Sequence, residues 1–416
     1  MAKLSLLEKN FSITNSGMYK VITILGIPFK FDRTKFYQKK YSSLTIKNDK
    51  IVIENFNGSS YGCNPKYIVE EIIKRKLPFE LVWIVKDVAQ EMEHNNFPSQ
   101  VRLVSRSSRE ALKELSSAKL WIDNQRKVYY LKRGLAKKQG QYYIQTWHGS
   151  LGIKKLDADV RAFDLNTGWI YMAKKDSSMI DYFISNSKFE DNIVAKALWY
   201  DKEISEFGHP RNDIFFKDNS SIREKVLSYF NIPKSKKILL YVPSFRDNGD
   251  MSWYSLNYQK VLETLAKKWR GDWVCISRLH PRAKKFAQDL LKNEIPNVVD
   301  GSFYPDIQEL LVASDAAITD YSSCIFDFML GRKPGFIFAT DIEDYNTERG
   351  FYYPLESTPF PVAVNNEQLA NNILNFDNEK YQKDIDKFLA DKGCMEDGHA
   401  SERVVDLIEK IMKDEV

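Results

Sequence analysis

Short apolar runs alternate with longer amphipathic stretches along most of this chain. From residue 51 onward, β-rich apolar runs are separated by segments with helical periodicity, and Gly, Pro, Asn or Ser marks each change. This alternation is typical of βαβ units and a parallel sheet. Helices are predicted over 65–76 and 107–115. The strands predicted for this first series are Ile51–Phe56, Leu81–Val85, Val101–Val104, Leu120–Ile122, Tyr142–Trp147 and Tyr182–Ser185.

A second series of apolar runs begins near the middle of the chain. The polar segment 217–236 separates it from the first series and contains Pro233. We therefore predict an α/β protein with two Rossmann-type domains, residues 51–216 and residues 217–416, the second ending in helices. The strands predicted for the second series are Lys237–Val242, Trp273–Ser277, Asn297–Val299, Ala316–Thr319 and Gly335–Phe338.

Residues 1–50 have a different character, because apolar and basic residues are mixed there. Met18–Phe31 is mainly apolar and is followed by Arg33, Lys35 and Lys39. Such a mixture is found in peripheral membrane anchors and also in ordinary strands or helices packed on a domain, and both interpretations stay open. No run approaches the roughly 20 apolar residues that cross a bilayer, and no signal peptide is recognisable, so we expect only peripheral membrane contact.

Composition narrows the classes of function. The formal net charge of +5 is too small for a protein that binds nucleic acid through many phosphates. The four cysteines are widely spaced, which indicates reduced thiols in a cytoplasmic protein, with contact at the inner face of the cell membrane left open. The glycine-rich nucleotide loops, the Gly-x-Ser-x-Gly elbow and His-Glu-x-x-His are absent, which disfavours kinases, dehydrogenases, hydrolases and zinc proteases.

A serine pair marks one candidate phosphate site. Thr319–Asp327 leaves a predicted strand and runs directly into a predicted helix. Ligands of α/β proteins bind at the carboxyl ends of strands, and the N–H groups of a helix N-terminus attract anions. Ser322 and Ser323 would add hydroxyl donors for a diphosphate. A simple helix cap explains the two serines equally well.

Three of the five histidines fall in turns just beyond predicted strands, at His148, His209 and His280. An imidazole with a near-neutral pKa can take a proton from an attacking hydroxyl. A lone histidine at a turn is more often structural, but three such turns in one cleft favour chemistry.

Cationic residues accompany these turns. Arginine forks clamp phosphate oxygens and offset charge on a transferring phosphoryl group, although surface ion pairs are the ordinary alternative. Arg349 is the preferred clamp, because it stands beside Gly350 in a loop where backbone can approach a ligand. The other residues predicted to bind or support the donor phosphates are Lys154, His209, Arg211, Asn212, Ser244, Arg246 and Arg278.

The ordered set of motifs resembles the CDP-glycerol glycerophosphotransferases of teichoic-acid and capsule synthesis. The similarity runs from about residue 51 to about residue 374. The resemblance implies a GT-B-like fold, in which two domains with parallel sheets face each other across a cleft. The motifs that carry it are Gln145–Gly149, Gly208–Asp213, Arg278–Pro281, Thr319–Ser323 with Phe326–Asp327, and Glu348–Phe351.

The resemblance also implies roles for single residues. His148 would be the general base, and His280 would contact the donor phosphates as the second catalytic histidine. Ser322, Ser323 and Arg349 would hold the diphosphate of CDP-glycerol or another CDP-polyol. The acceptor would be a lipid-linked, capsular or teichoic-acid-type glycan. One of its hydroxyls would attack the phosphorus that bears glycerol, in line with the departing CMP.

Some points stay open after the resemblance is taken into account. Ser150 stands where the family often has threonine, and His209 where it often has tyrosine, so the acceptor or polyol can differ. A magnesium ion on the diphosphate is left open, with Asp320 and Asp327 as supporting carboxylates. Two rival functions also remain: a nucleotide-sugar glycosyltransferase on the same fold, and a non-catalytic scaffold of surface-polymer assembly.

Overall fold

Two parallel β-sheets organise the chain. The computed structural model describes residues 11–416 apart from 17–18, 95, 161–166, 247–253, 280–294 and 349. The strands are β1 (Phe11–Ser16), β2 (Tyr19–Ile24), β3 (Ile27–Asp32), β4 (Lys47–Glu54), β5 (Glu80–Val85), β6 (Val101–Ser105), β7 (Ala118–Asp123), β8 (Tyr142–Gln145), β9 (Tyr182–Ser185), β10 (Ile204–Glu206), β11 (Lys237–Val242), β12 (Trp273–Ser277), β13 (Val298–Asp300), β14 (Ala316–Thr319), β15 (Gly335–Phe338) and β16 (Val362–Ala363).

Helices separate most of these strands, as the alternation in the sequence predicts. The α-helices are α1 (Arg33–Ser42), α2 (Cys63–Lys74), α3 (Val88–His94), α4 (Arg109–Ser117), α5 (Val128–Leu131), α6 (Thr167–Met179), α7 (Ala195–Ala197), α8 (Ser220–Tyr229), α9 (Tyr258–Trp269), α10 (Ile307–Ala313), α11 (Cys324–Met329), α12 (Ile342–Glu348), α13 (Asn366–Leu374), α14 (Asn378–Lys392) and α15 (Ala400–Met412). Short 3-10 turns occupy Asp157–Asp159, Pro210–Phe216 and Leu355–Ser357, and a π-helical turn occupies Glu190–Val194.

The first sheet has seven strands in the order β10-β9-β8-β7-β4-β5-β6, and the second has six in the order β13-β12-β11-β14-β15-β16. Every neighbouring pair within both sheets is parallel. The carboxyl ends of all strands in one sheet therefore lie at one edge, where ligands of such folds bind. The predicted α/β class and both series of strands are confirmed.

One predicted strand is shorter than expected. The apolar run suggested a strand to Trp147, but β8 ends at Gln145. The Gln145 side chain accepts the N–H of Trp147 at 2.9 Å, so this donor is lost to the sheet. Trp147 has a φ of 50°, which turns the chain away from the strand direction.

The last helix returns to the first sheet. Val404, Val405, Ile408 and Ile411 of α15 are buried in one cluster with apolar residues of β4, β5 and α2. At the surface, Arg75 donates to Asp406 at 2.6 Å. The domain limits 51–216 and 217–416 stay a prediction. The packing of α15 shows in addition that the chain returns to the first sheet after the second sheet is complete.

Residues 11–32 form a separate antiparallel sheet in the order β1-β2-β3. Large apolar side chains of this sheet face solvent, among them Leu25 with 76% and Ile27 with 60% of its surface exposed. Asp32 caps the following helix α1 by accepting from the N–H of Thr34 at 2.8 Å. Among the described residues, no helix combines the length and the apolar character that crossing a membrane requires.

Candidate active site

The His148 turn lies at the carboxyl ends of β7 and β8. The Nδ1 atom of His148 is 2.6 Å from the carbonyl oxygen of Asn124, so Nδ1 carries the proton and donates it to this bond. Phe56 packs edge-on against the imidazole with ring centroids 5.1 Å apart. The ring is half-buried, and its Nε2 atom holds a lone pair next to the amide of Gln125, 3.4 Å away.

The surroundings keep His148 uncharged. Burial lowers the pKa of His148 to about 4, and the nearby positive charge of Arg211 acts in the same direction, against the opposing effect of the bond to Asn124. The imidazole is therefore neutral near pH 7 and offers an acceptor at Nε2.

Asn64 holds the His148 turn from the start of α2. Its Nδ2 atom donates to the carbonyl oxygens of Thr146 and Trp147, each at 3.1 Å. Its Oδ1 atom accepts the backbone N–H of Arg211 at 3.1 Å. One buried amide thus ties together the turns that carry His148 and Arg211.

The same turn lies against the serine pair of the second sheet. A Cβ atom at Gly149 would stand 3.8 Å from Ser323 Oγ, and one at Gly152 would stand 3.3 Å from Ser323 Cβ. Glycine thus lets the turn approach the start of α11 closely. Ser323 is the N-cap residue of α11 but makes no side-chain cap bond, so simple capping does not account for it. Ser322 and Ser323 are both half-buried.

His209 lies behind this surface. It has 0% of its surface exposed, and its Nδ1 atom is 2.9 Å from Ser150 Oγ. Its Nε2 atom is 3.0 Å from Glu190 Oε2. Its backbone N–H points to Glu396, whose pKa burial raises to about 7. His209 is thus enclosed by side chains in this structure, and the expectation that it contacts phosphate stays a prediction.

Arg211 and Asn212 are buried as well. An Arg211 NH2 atom lies 3.1 Å from Asp327 Oδ2, and Asn212 donates to Glu396 at 2.7 Å. Burial acts to lower the pKa of Arg211, but Asp327 and the sulfur of Cys63 hold it above its ordinary value. Both side chains are thus enclosed by other side chains, Arg211 by Asp327 and Asn212 by Glu396 and Gln308. Direct binding of the donor by Arg211 and Asn212 stays a prediction.

Arg246 is neutralised by carboxylates. Its Nε and NH2 atoms contact Asp341 at 2.6 and 2.9 Å, and NH1 lies 2.9 Å from Asp320. The rings of Tyr321 and Tyr345 lie about the guanidinium at 4.9 and 5.0 Å. These carboxylates occupy the guanidinium in this structure, and the role of Arg246 as a phosphate clamp stays a prediction.

Three other predicted residues lie around the cleft between the sheets. Lys154 donates to Ser244 Oγ at 3.1 Å, which joins the loop after His148 to the end of β11. Arg278 follows β12, is partly exposed, and donates through NH1 to the carbonyl oxygens of Gly301 and Tyr304 at 3.1 and 2.5 Å. Burial lowers the pKa of Arg278 below its ordinary value. These side chains remain within reach of the cleft.

The two other predicted residues, His280 and Arg349, lie outside the described residues. Within the described ranges, no group of three His, Cys, Asp or Glu side chains could hold a metal ion. Asp320 accepts the N–H of Ser244 at 2.8 Å and contacts Arg246, while Asp327 pairs with Arg211. These two carboxylates do not fit a magnesium site as they stand.

Sequence reasoning missed several residues that shape the site. Asn124 and Gln125 follow β7 directly, where the rule on carboxyl ends of strands could have singled them out. Glu190 and Asp341 had no comparable signal, because their partners lie far away along the chain: Glu190 meets His209, and Asp341 meets Arg246.

The chain matches a family model over most of its length. The model for CDP-glycerol:poly(glycerophosphate) glycerophosphotransferase matches residues 36–410, which include both parallel sheets. The chain is 33% identical over 402 residues to the teichoic acid poly(glycerol phosphate) polymerase of Staphylococcus epidermidis, covering 92% of this chain and 54% of the polymerase. It thus spans about half the length of that relative.

Shorter relatives match over most of their length. A protein of the same name from Bacillus spizizenii is 32% identical over 384 residues, covering 87% of this chain and 93% of that protein. A solved structure of the wall teichoic acid polymerase TagF matches with a TM-score of 0.78 at 33% identity, covering 92% of this chain and 94% of that chain. The expected GT-B-like fold is confirmed, and the chain belongs to the CDP-glycerol:poly(glycerophosphate) glycerophosphotransferase family.

Proposed function

We propose that this chain transfers glycerol phosphate, or a related polyol phosphate, from a CDP-activated donor to a hydroxyl of a teichoic-acid-type or other cell-surface glycan, with release of CMP. The observation that carries the proposal is the approach of the His148 turn to Ser323 through Gly149 and Gly152. A neutral base of one domain and hydroxyl donors of the other thereby share one cleft. Family membership supports the same reaction class.

The reaction needs one proton acceptor and a cradle for negative charge. His148 Nε2 takes the proton of the acceptor hydroxyl as its oxygen attacks the phosphorus that bears glycerol. The bond from this phosphorus to the oxygen of CMP breaks in line, and CMP departs with the electron pair. The proton then leaves His148 to solvent, so no covalent intermediate on the chain is required.

The donor itself would improve the base. A pKa of about 4 makes the free imidazole a weak base. A diphosphate bound beside Ser322 and Ser323 brings negative charge close to His148, and negative charge raises the pKa of a histidine. Binding of the donor would therefore shift His148 toward the pH at which proton transfer is most efficient.

The predicted donor contacts divide into two groups. Ser322, Ser323, Ser244, Lys154 and Arg278 are proposed to face the donor, because they line the cleft or lie at strand ends beside it. The remaining donor-side residues in the proposal are His280 and Arg349.

The first test is release of CMP by the purified chain from CDP-glycerol, CDP-ribitol and a panel of sugar nucleotides, each with and without a membrane extract as acceptor. We expect release only from a CDP-polyol, and more of it with the extract. A TagF variant has been studied after soaking with CDPG, which makes CDP-glycerol the first donor to try. Turnover only with a sugar nucleotide would replace the proposal by a glycosyltransferase, and no turnover in any arm would favour the scaffold.

We also propose that the chain works in the cytoplasm and touches the inner face of the membrane through β1–β3. The sheet exposes apolar side chains, including Phe11 and Ile13 at 53 and 52%, and Lys20 and Lys30 are exposed beside them. Apolar and basic residues together suit an anionic lipid surface, on which a lipid-linked acceptor would lie. All four cysteines are free thiols, which agrees with a reducing compartment.

This contact is tested by sedimentation with vesicles of phosphatidylcholine alone or mixed with phosphatidylglycerol. We expect binding to the anionic vesicles, and a loss of binding on Leu25→Glu with Ile27→Glu. The matched control is Met92→Glu, an exposed apolar residue of α3 with 68% of its surface exposed. Equal binding of all variants would overturn the proposed membrane contact, and the proposed transfer reaction would be unaffected.

A further inference from the structure

Ser150 lies two residues after His148, on the buried side of the turn. Only 2% of its surface is exposed. Its Oγ atom is 2.9 Å from His209 Nδ1 and 3.0 Å from an NH2 atom of Arg211. A hydroxyl has one donor and two acceptor positions, so Ser150 joins two buried side chains at once.

The surrounding donors and acceptors fix the direction of these bonds. A guanidinium can only donate, so Ser150 Oγ accepts from Arg211. Among the described residues, His209 Nδ1 is then the side-chain acceptor for the hydroxyl proton, which puts the imidazole proton on Nε2. That atom lies 3.0 Å from Glu190 Oε2 in a close but poorly aligned approach. The chain of groups runs from the guanidinium of Arg211 through the Ser150 hydroxyl and the His209 imidazole to the carboxyl group of Glu190.

Arg211 extends this chain of groups into the second domain. Asp327, its partner at 3.1 Å, belongs to α11, and α11 begins directly after Ser323. The arginine and the aspartate are both buried. Because hydrogen bonds hold a helical turn together, the position of Asp327 constrains that of Ser323. A continuous set of contacts therefore links the residue behind His148 to the helix that presents Ser323.

We propose that Ser150 is a positioning residue, which sets the separation between His148 and the Ser322–Ser323 pair through His209 on one side and Arg211 with Asp327 on the other. The inference rests on the proposed function, because it assigns the proton transfer to His148. Ser150 touches neither the donor nor the acceptor. Its hydroxyl acts by holding the turn in register with α11.

A positioning role makes a kinetic prediction that differs from a purely structural one. Misplacement of a catalytic group by about 1 Å can cost about 100-fold in rate. For Ser150→Ala we expect kcat to fall about 10- to 100-fold, while KM for CDP-glycerol stays within about twofold, because the donor contacts remain. Ser150→Thr keeps the hydroxyl and is expected to restore most of kcat.

The matched control is Ser314→Ala. Ser314 is equally buried, with 0% exposure, and its hydroxyl donates to the carbonyl oxygen of Leu310 at 2.7 Å, away from the cleft. We expect a similar loss of thermal stability and an unchanged kcat. In a second variant, His209→Gln, the glutamine amide takes the place of the imidazole Nε2 atom. Nothing replaces Nδ1, so the Ser150 hydroxyl loses the acceptor of its proton. Combined with Ser150→Ala, it should lower kcat no further than either change alone.

Hydrogen–deuterium exchange supplies a readout that does not depend on turnover. We expect faster exchange of the peptide 147–153 in Ser150→Ala and His209→Gln, and wild-type exchange there in Ser314→Ala. Faster exchange in a chain that does not turn over a CDP-polyol would keep the positioning role and reject the proposed function. Unchanged exchange with unchanged kcat would overturn the inference, as would a parallel loss of kcat in Ser314→Ala. If Ser150→Ala does not fold, His209→Gln and Ser150→Thr decide the same question.

Discussion

The turns of His148 and His209 are alike in sequence and opposite in structure. Each histidine follows a strand of the first sheet, β8 or β10, and each has a glycine as a neighbour. The Nδ1–H group of His148 donates to a backbone carbonyl, and its Nε2 atom lies at a half-buried surface. His209 is fully buried, and both of its ring nitrogens lie next to side chains.

The difference comes from what covers each turn. The His148 turn ends at the cleft, where Gly149 and Gly152 keep the space beside Ser323 narrow but free of side chains. Over His209 lie Glu190 and Glu396, contributed by distant parts of the chain. A histidine beyond a strand is thus a catalytic candidate only where the fold leaves one of its nitrogens for a ligand.

The comparison is tested most strongly by His148→Asn. Asparagine can still donate to the Asn124 carbonyl but has no basic nitrogen, so the turn should keep its shape. We expect turnover of CDP-glycerol to fall about 100- to 10,000-fold, the range that general base catalysis supplies. The melting temperature at pH 8, where His148 is uncharged in both the folded and the unfolded chain, should be unchanged.

The control for this change is His399→Ala. His399 is exposed and pairs with Glu402 at 3.0 Å, far from the cleft in its contacts. Its replacement should leave turnover at the wild-type level. Retention of full turnover by His148→Asn would remove His148 as the base, and the two histidine turns would then no longer differ in function.

A change in the buried His209 turn should lower the stability of the folded protein. His209→Ala leaves Ser150 without its acceptor and Glu190, which is 0% exposed, without its neighbour. Unpaired buried polar groups cost about 1–3 kcal/mol each, and the lost ring adds a cavity. We expect the free energy of unfolding to fall by about 2–4 kcal/mol in denaturant titrations. A change below about 0.5 kcal/mol, the size usual for surface sites, would contradict the buried network.

The low pKa of His148 makes stability depend on pH in a defined direction. The group titrates near 6.5 in the unfolded chain and at about 4 in the folded chain. Between these values the unfolded state binds more protons, so stability falls as pH drops from about 7 toward 4. We expect this loss to be roughly 1–3 kcal/mol. His148→Asn should show a correspondingly flatter curve in melting experiments at pH 5 and 8, and an equal slope in both proteins would contradict the shift.

The sequence was sufficient to predict the two parallel sheets. Apolar runs such as Lys237–Val242 are buried strands whose pattern is local, and the fold class followed from their alternation. The prediction that His148 and Ser323 serve one site stays a prediction, and the short distance between Gly152 and Ser323 is consistent with it.

The sequence could not reveal which polar side chains are already paired with other side chains inside the fold. Arg246 stands in a motif that suits a phosphate clamp, yet Asp341, 95 positions further along, occupies its guanidinium. Ser150 and His209 were noted separately as departures from the family pattern, and only the fold shows that they touch each other. Such pairings depend on tertiary packing that no local pattern encodes.

The smallest expected effect concerns Gln125, whose amide lies 3.4 Å from the Nε2 atom of His148. At this distance the contact is a weak hydrogen bond, and it occupies the lone pair that the acceptor hydroxyl needs. Such a bond is worth about 0.5–1.5 kcal/mol, so Gln125→Leu should lower KM for the acceptor about two- to tenfold with little change in kcat. At His209, by contrast, both ring nitrogens already lie next to buried side chains. A rise in KM would mean instead that the Gln125 amide binds the acceptor, and that the acceptor contacts both this amide and the His148 imidazole.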